Sequence, residues 1–412
     1  MLRVTLDIPG CKSASQRALI LAALAKGEST LSGLSTGEDS QFLIAALRAL
    51  GWELTVDDAT HLRVIGRNGP QTSLADVLAL GEGGSTLRFL VPMLAAAPQN
   101  LQLKVADGLR ARPQQPLVDA LSQMGACLTP TADGFHLVSK ADAMPSDMEI
   151  PMDLSSQFFS GFLMASGRRA QTWRLPNPPV SRGYLEMTVS MLQQFRGTDV
   201  LQQEAKLWHQ SAGFGVGQNF VVPADASAVV FFAVAAVLLQ RTLSISREWD
   251  PRHPDMAVLR FLEKLHLLRV EGRDLMPIAE GLMDAEASMV PVFDLQDSPD
   301  SGPALAVLAS RLPRGMRFVN SERLRFKESN RLDGMQRLAA ILGGEMSQRG
   351  EELCIQPGIA PSPQAVFDSN NDHRLAMAAG IASLLYPSLE IGERSCVAKS
   401  FPDFWNQLAR LS

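Results

Sequence analysis

Six apolar, Ala- and Leu-rich segments recur along this chain at steps of 70 to 75 residues. Such a period limits the possible folds more than any single motif does. The segments are SASQRALILAALA from Ser13, STLRFLVPMLAAA from Ser85, SSQFFSGFLMAS from Ser155, ASAVVFFAVAAVLL from Ala226, SGPALAVLASRL from Ser301 and DHRLAMAAGIASLL from Asp372. Each opens on a small or polar residue and reads as a helix. A shorter amphipathic helix recurs between them, often ending at Gly and followed by strand-like runs, as in FLIAALRALGWELTV (42–56), PLVDALSQMGACLT (116–129) and GMQRLAAILGGEMS (334–347). Gly after such a helix is a C-cap signal, and alternating β-branched runs such as HLRVIG (61–66) signal strands. Each unit therefore reads strand–helix–strand–helix–strand–strand, a mixed α/β (α+β) class.

Grouped in threes, the units predict two similar domains: 11-223, and 1-10 plus 224-412. The crossovers fall near Pro9–Gly10 and Pro223–Ala224, where Pro and Gly suit a hinge-like connection. The sixth unit stops about 40 residues after Asp372. Its missing first strand is expected from the N-terminal MLRVTLDIPG, which would put both chain ends in one domain.

Composition narrows the function. With 46% hydrophobic and 20% charged residues among 412, the chain can bury a large core. A net charge of −5 argues against a nucleic-acid partner. Cys11, Cys127, Cys354 and Cys396 are scattered without metal-ligand spacing, which suits a reducing compartment and no metal site. The first residues lack the apolar core of a signal peptide, and VVFFAVAAVLL (229–239) is too short to span a bilayer. The expectation is a cytoplasmic protein that engages no membrane.

The starts of the long helices read GCKSAS, GEGGST, DLSSQF, PADASA, PDSGPA and NNDHRL. A helix N-terminus presents unpaired N–H groups and partial positive charge, so several facing one cleft would favour an anion. Ser, Asp and Gly also serve simply as caps. Six in phase, several with Lys or Arg within a turn, favour a ligand. Lys12 and Arg17 flank the first start, Arg88 lies a turn into the second, and Arg112 sits in a Pro-rich loop. Lys327, Glu328 and Arg331 share RLRFKESNRL, Arg374 follows Asp372 and His373, and Lys399 lies in VAKSFPDF. Taken singly, each is an ordinary surface charge. Together they suit a substrate bearing phosphate and carboxylate groups. Asp300 and Glu328 are acid–base candidates. From the residues alone, Asp300 reads equally as a cap and Glu328 as an ion-pair partner.

Nine stretches in order carry a resemblance: PGCKSASQRALILAALAKG, GEGGSTLR, RARPQQPLVDAL, LSSQFFSGFLMA, VSRGYLEMT, PDSGPALAVLA, LRFKESNRL, NDHRLAMA and AKSFPDFWNQLARL. Along nearly its whole length the chain resembles the 3-phosphoshikimate 1-carboxyvinyltransferase (EPSP synthase) family. The resemblance implies the enolpyruvyl transferase fold: two domains, each of three βαβαββ units around a pseudo-threefold. It implies transfer of the enolpyruvyl group of phosphoenolpyruvate to the 5-hydroxyl of shikimate-3-phosphate in the interdomain cleft, by a monomer with no cofactor. It assigns Lys12, Gly84, Arg112, Gln157, Arg331, Arg374 and Lys399 to phosphoenolpyruvate. Arg331 and Arg374 would take the carboxylate, and Lys12, Arg112 and Lys399 the phosphate. Ser155, Ser156 and Ser181, with Lys327 nearby, would hold the 3-phosphate of the acceptor. Ser13, Arg17, Gln157, Tyr184 and Asp300 would surround its ring. Asp300, Glu328 and Lys12 would move the protons, with Glu328 acting at C3 and Asp300 at the 5-hydroxyl.

Four positions depart from the family pattern. Glu82 stands where Asn is commonest, so it must point away from the anion or pair with a cation. Cys11 precedes Lys12 in place of a polar residue and is expected to pack. Asn330 replaces the Asp of K-E-S-D-R, and Arg323 replaces an Asn used by some members. A UDP-N-acetylglucosamine enolpyruvyl transferase would share the fold, but the 106–116 loop ADGLRARPQQP lacks that family's Cys. An RNA-end-processing enzyme would need a His motif, and His373 is better read as part of the helix start. A binding scaffold that had lost catalysis would have lost Glu328, Asp300 or Lys399. An open free form that closes on shikimate-3-phosphate is expected.

Overall fold

The computed structural model describes residues 3–140, 144–279, 289–358 and 365–412. The six long helices run Lys12–Leu24, Gly84–Ala95, Ser156–Ala165, Ala226–Leu239, Gly302–Ala309 and His373–Ser383. They begin within one residue of the starts read from the sequence. Their residues are almost all buried, and Ala226–Leu239 exposes nothing before its last residue. A helix apolar on every face belongs inside a core, and the alanines allow close packing there.

Five four-stranded sheets share one order: first strand, second, fourth, third. In the second unit, Val77–Ala79 runs parallel to Gln99–Lys104, which pairs antiparallel with Gly134–Ser139, and that strand pairs with Cys127–Thr131. The parallel step needs a crossover, and the long buried helix supplies it. The shorter helix covers the connection to the closing hairpin. Gly51 (φ +95°) and Gly125 (φ +67°) end two of these shorter helices in the left-handed region, which glycine enters without a Cβ penalty.

The chain divides into two compact units, Gly10–Val222 and Met1–Pro9 with Pro223–Ser412. Each has its own core. One gathers residues from Cys11 to Val222, and the other gathers Leu6 and Ile8 with residues from Ala224 onward. The N-terminal strand corrects one expectation. Val4–Leu6 does not complete the sixth unit. It pairs parallel with Leu243–Ile245 and so supplies the first strand of the fourth. The first unit, in turn, takes its first strand from Asn219–Val221, parallel to Thr30–Ser32. The sixth unit has its own first strand, Ala365–Asp368, parallel to Leu389–Gly392. What it lacks is the closing hairpin. The helix Phe404–Ala409 follows instead, with Phe401 and Phe404 packed on Phe232 at centroid distances of 6.2 and 5.8 Å. Among the described residues no helix is long and apolar enough to cross a membrane.

Candidate active site

In the C-terminal unit, the starts of the helices Gly302–Ala309, Arg331–Ile341 and His373–Ser383 bring together Asp300, Lys327, Glu328, Arg331 and Arg374. Arg331 is 1% exposed and lies among three carboxylates. Its Nε donates to Asp372 Oδ2 at 2.8 Å, Nη1 to Asp300 Oδ1 at 2.8 Å and Nη2 to Glu328 Oε2 at 3.0 Å. Burial alone would push its pKa down, but Asp372, Asp300 and Glu328 hold it above the ordinary arginine value. Asp300 lies in the 3-10 turn Pro299–Ser301. Burial pushes it up, but Lys327 at 3.5 Å, Arg331 and Arg374 at 3.6 Å outweigh that and hold it well below the usual carboxylate range. Burial pushes Lys327 down to about 8, against the attraction of Asp300. Arg374, 2% exposed, has Nε and Nη1 without a hydrogen-bond partner among the described residues. Lys399, in the 3-10 turn Arg394–Lys399, donates to the carbonyl of Asn371.

Three of the six helix starts are closed by their own side chains: Ser155 accepts from Gln157 N, Asp225 from Ser227 N and Asp372 from Arg374 N. For those, capping is part of the answer. The starts at Cys11, Gly83 and Ser301 have no side-chain cap.

In the N-terminal unit, a second cluster forms where Gly84 lets three side chains approach its backbone. A Cβ there would sit 3.3 Å from Arg112 Nη1, 3.6 Å from Arg88 Nη1 and 3.7 Å from Gln157 Oε1. Arg88 donates to Gln157 Oε1 at 2.9 Å, Gln114 Oε1 at 3.1 Å and the Pro113 carbonyl at 3.2 Å, and it stacks over Phe158 at 4.6 Å. Burial, with Arg112 adding, pushes its pKa down to about 9. Arg112 Nε and Nη2 are buried without a hydrogen-bond partner among the described residues. A buried guanidinium short of acceptors, close enough to Arg88 to lower its pKa, makes a receptor for an anion.

Arg17, Ser156 and Ser181 lie in the same unit. Arg17, 1% exposed, donates to Thr188 Oγ1 at 2.7 Å, the Ser13 carbonyl at 2.8 Å and the Tyr184 carbonyl at 3.1 Å, so its donors tie the helices together. Burial pushes it down to about 10. Ser156 is the first residue of its helix and buried. Ser181, 8% exposed, begins the helix Arg182–Arg196 with φ +52°, a left-handed conformation that costs a non-glycine residue free energy.

Of the departures, Cys11 is buried and packs in the core. Glu82 is half-buried. Asn330 precedes the helix Arg331–Ile341 and donates to Asp333 Oδ2 at 2.7 Å. Arg323 donates to the Gln296 carbonyl; burial lowers its pKa against the pull of Asp297, Asp294 and Asp300.

Three residues escaped the sequence reading. Asp372, 0% exposed, clamps Arg331 and caps its own helix. His373 is more than part of a helix start, because its Nδ1 lies 2.7 Å from Glu328 Oε2. Asp39 pairs with Lys12 at 2.8 Å. Acidic residues at helix starts are ordinary, so Asp39 and Asp372 carried no distinguishing signal. The His-Arg pair after Asp372 was the visible hint for His373.

Known proteins resemble this chain along nearly its whole length. A 3-phosphoshikimate 1-carboxyvinyltransferase of Pseudomonas syringae pv. tomato is 31% identical over 98% of this chain and 93% of its own length. That of Escherichia coli O6:H1 is 29% identical over 99% and 96%. The structure of EPSP synthase from Acinetobacter baumannii matches 100% of this chain and 96% of its own with a TM-score of 0.74 at 23% identity. The enolpyruvyl transferase NikO from Streptomyces tendae matches 100% and 95% with a TM-score of 0.72 at 18% identity. At those identities the two structures establish the shared fold. The sequence model of one family matches residues 1–408, and the chain belongs to that family, EPSP synthase (3-phosphoshikimate 1-carboxyvinyltransferase).

Proposed function

We propose that the chain transfers the enolpyruvyl group of phosphoenolpyruvate to the 5-hydroxyl of shikimate-3-phosphate, giving 5-enolpyruvylshikimate-3-phosphate and phosphate, a step of aromatic amino-acid biosynthesis. The observation that carries the reading is the buried pair Arg331 and Arg374, set among Asp300, Glu328 and Lys327. Two fixed guanidinium groups suit a carboxylate, and the flanking carboxylates suit proton transfer.

In this reading Arg331 and Arg374 take the carboxylate of phosphoenolpyruvate, while Lys12, Arg112 and Lys399 take its phosphate, with Gln157 and Gly84 shaping the pocket. Ser155, Ser156, Ser181 and Lys327 hold the 3-phosphate, and Ser13, Arg17, Gln157, Tyr184 and Asp300 surround the ring. Arg17 does so through the carbonyls it fixes as much as by direct contact. C2 of phosphoenolpyruvate becomes electrophilic once C3 is protonated. Glu328 supplies that proton and recovers one from C3 when the tetrahedral intermediate expels phosphate. Asp300 takes the proton of the 5-hydroxyl, Lys12 gives one to the departing phosphate, and solvent carries the proton from Asp300 back to Lys12. A carboxylate held by three cations is ionised but weakly basic. The incoming substrate carboxylate competes for Arg331 and Arg374, and so raises the basicity of Asp300 as the substrates arrive. Charge on the departing phosphate is met by cations already in place.

The four cysteines are all free, which supports a cytoplasmic location. The family resemblance supports a monomer. The test of the function is phosphate release from phosphoenolpyruvate by purified protein, with shikimate-3-phosphate or UDP-N-acetylglucosamine as acceptor. Release with shikimate-3-phosphate alone is expected. Release with neither, from folded protein, would refute the assignment.

A further inference from the structure

We propose that Asp39 is a positioning residue for Lys12, its carboxylate fixing the ammonium group where it meets the phosphate of phosphoenolpyruvate. The proposal rests on the reading of Lys12 as a ligand of that phosphate. Lys12 is the first residue of the helix Lys12–Leu24, and Asp39 lies in the first turn of the helix Glu38–Ala49. Lys12 Nζ stands 2.8 Å from Asp39 Oδ2, with the side chains 14% and 6% exposed.

Asp39 separates two tasks. Its main-chain carbonyl ties the helices together, accepting from Gln16 Nε2 at 3.0 Å and Thr86 Oγ1 at 3.2 Å. Gln16 Nε2 also donates to Thr86 Oγ1 at 2.8 Å. Its side chain is turned to Lys12. The glycine loop closes on the same carboxylate: a Cβ on Gly83 would come within 2.5 Å of Thr86 Oγ1 and 3.0 Å of Asp39 Cγ and Oδ1. The carboxylate thus lies between the loop that leads to Gly84 and the lysine.

An anion beside a phosphate ligand weakens the attraction for phosphate, so its presence needs a reason. Lysine is a point charge on a flexible four-carbon stem with three donors. One charge-assisted bond to Asp39 holds the end of that stem in one place. Other ionisable groups on the elements packed against this helix are Arg88 on Gly84–Ala95, and Arg182, Tyr184, Glu186 and Arg196 on Arg182–Arg196. Glu38 and Arg48 share the helix of Asp39; Lys26, Glu28, Arg63 and Arg67 lie on the adjoining strands. Ser156–Ala165 carries none, and Cys11 precedes Lys12. Of these groups, Asp39 pairs with Lys12 at 2.8 Å.

Asp39→Asn keeps the shape and the main-chain ties and removes the charge. In the full chain it is expected to lower kcat/KM for phosphoenolpyruvate by about tenfold to a hundredfold. Asp39→Glu keeps the charge but displaces it, so KM for phosphoenolpyruvate should rise while kcat changes less. An Asp39→Asn protein with wild-type thermal stability, KM and kcat would overturn the proposal. So would an unchanged KM in Asp39→Glu, which serves if the asparagine variant does not fold. A Lys12→Ala variant without activity beside a fully active Asp39→Asn would refute the positioning role and leave the proposed function standing. Absence of phosphate release by the wild type would refute both.

Discussion

Glu328 Oε2 lies within hydrogen-bond reach of both His373, at 2.7 Å, and Arg331, at 3.0 Å. The bond from Arg331 limits how far that carboxylate can move, as a proton carrier aimed at one carbon requires. Glu328→Gln keeps the shape and loses the transferable proton, so kcat should fall about 100- to 10,000-fold with little change in KM for the acceptor. Steady-state phosphate release checks this, and a kcat within about tenfold of wild type would remove Glu328 from the proton path. Lys327 gives a pH prediction. Burial lowers its pKa to about 8, so its cation is present below that pH and lost as the pH rises through it. With Lys327 in the proposed role at the 3-phosphate, kcat/KM for shikimate-3-phosphate should decline above about pH 8. That ratio reports groups of the free enzyme. Lys327→Arg should move the decline upward; a limb that stays in place would assign it to another group.

The working element is the helix start. Asp372 joins two of them: it caps His373–Ser383 through Arg374 N at 2.9 Å and grips Arg331, the first residue of Arg331–Ile341. Ser329 Oγ adds a bond to the same carboxylate at 3.2 Å. Asn in its place would still cap the helix, but it would leave the Arg331 guanidinium short of one buried counter-charge. Asp372→Asn should therefore destabilise the C-terminal unit by about 3 kcal/mol. Chemical denaturation measures the loss. A midpoint equal to wild type would mean that Asp300 and Glu328 suffice to hold Arg331.

Across the whole molecule, chain order and unit membership part company at two strands. Val4–Leu6 begins the chain but belongs to the sheet of the fourth unit, and Leu6 and Ile8 are 0% and 1% exposed in its core. Deleting residues 1–8 should cost about 1.5–3 kcal/mol for each of those side chains, besides the lost parallel ladder. The unit Pro223–Ser412 should then unfold at distinctly lower urea than in the intact chain. An unchanged transition would show that the strand contributes nothing to its core.

The repeat of apolar helices, their starting residues and the α/β class were legible in the sequence because each depends on local pattern: periodicity, small residues at N-termini, Gly at C-termini. The charged members of the cluster in the C-terminal unit were legible for the same reason, since Lys327, Glu328, Arg331 and Arg374 all lie at or beside helix starts. Pattern could not decide which sheet the N-terminal strand joins. Strand pairing is a contact between segments 239 residues apart for Val4 and Leu243, and an apolar alternating run fits any open edge. Nor could it show that Asp39 faces Lys12, that Asp372 clamps Arg331, or that His373 lies on Glu328. Those pairings exist only once helices from distant parts of the chain pack end by end, and the energy of a buried charge depends on which neighbours packing gives it.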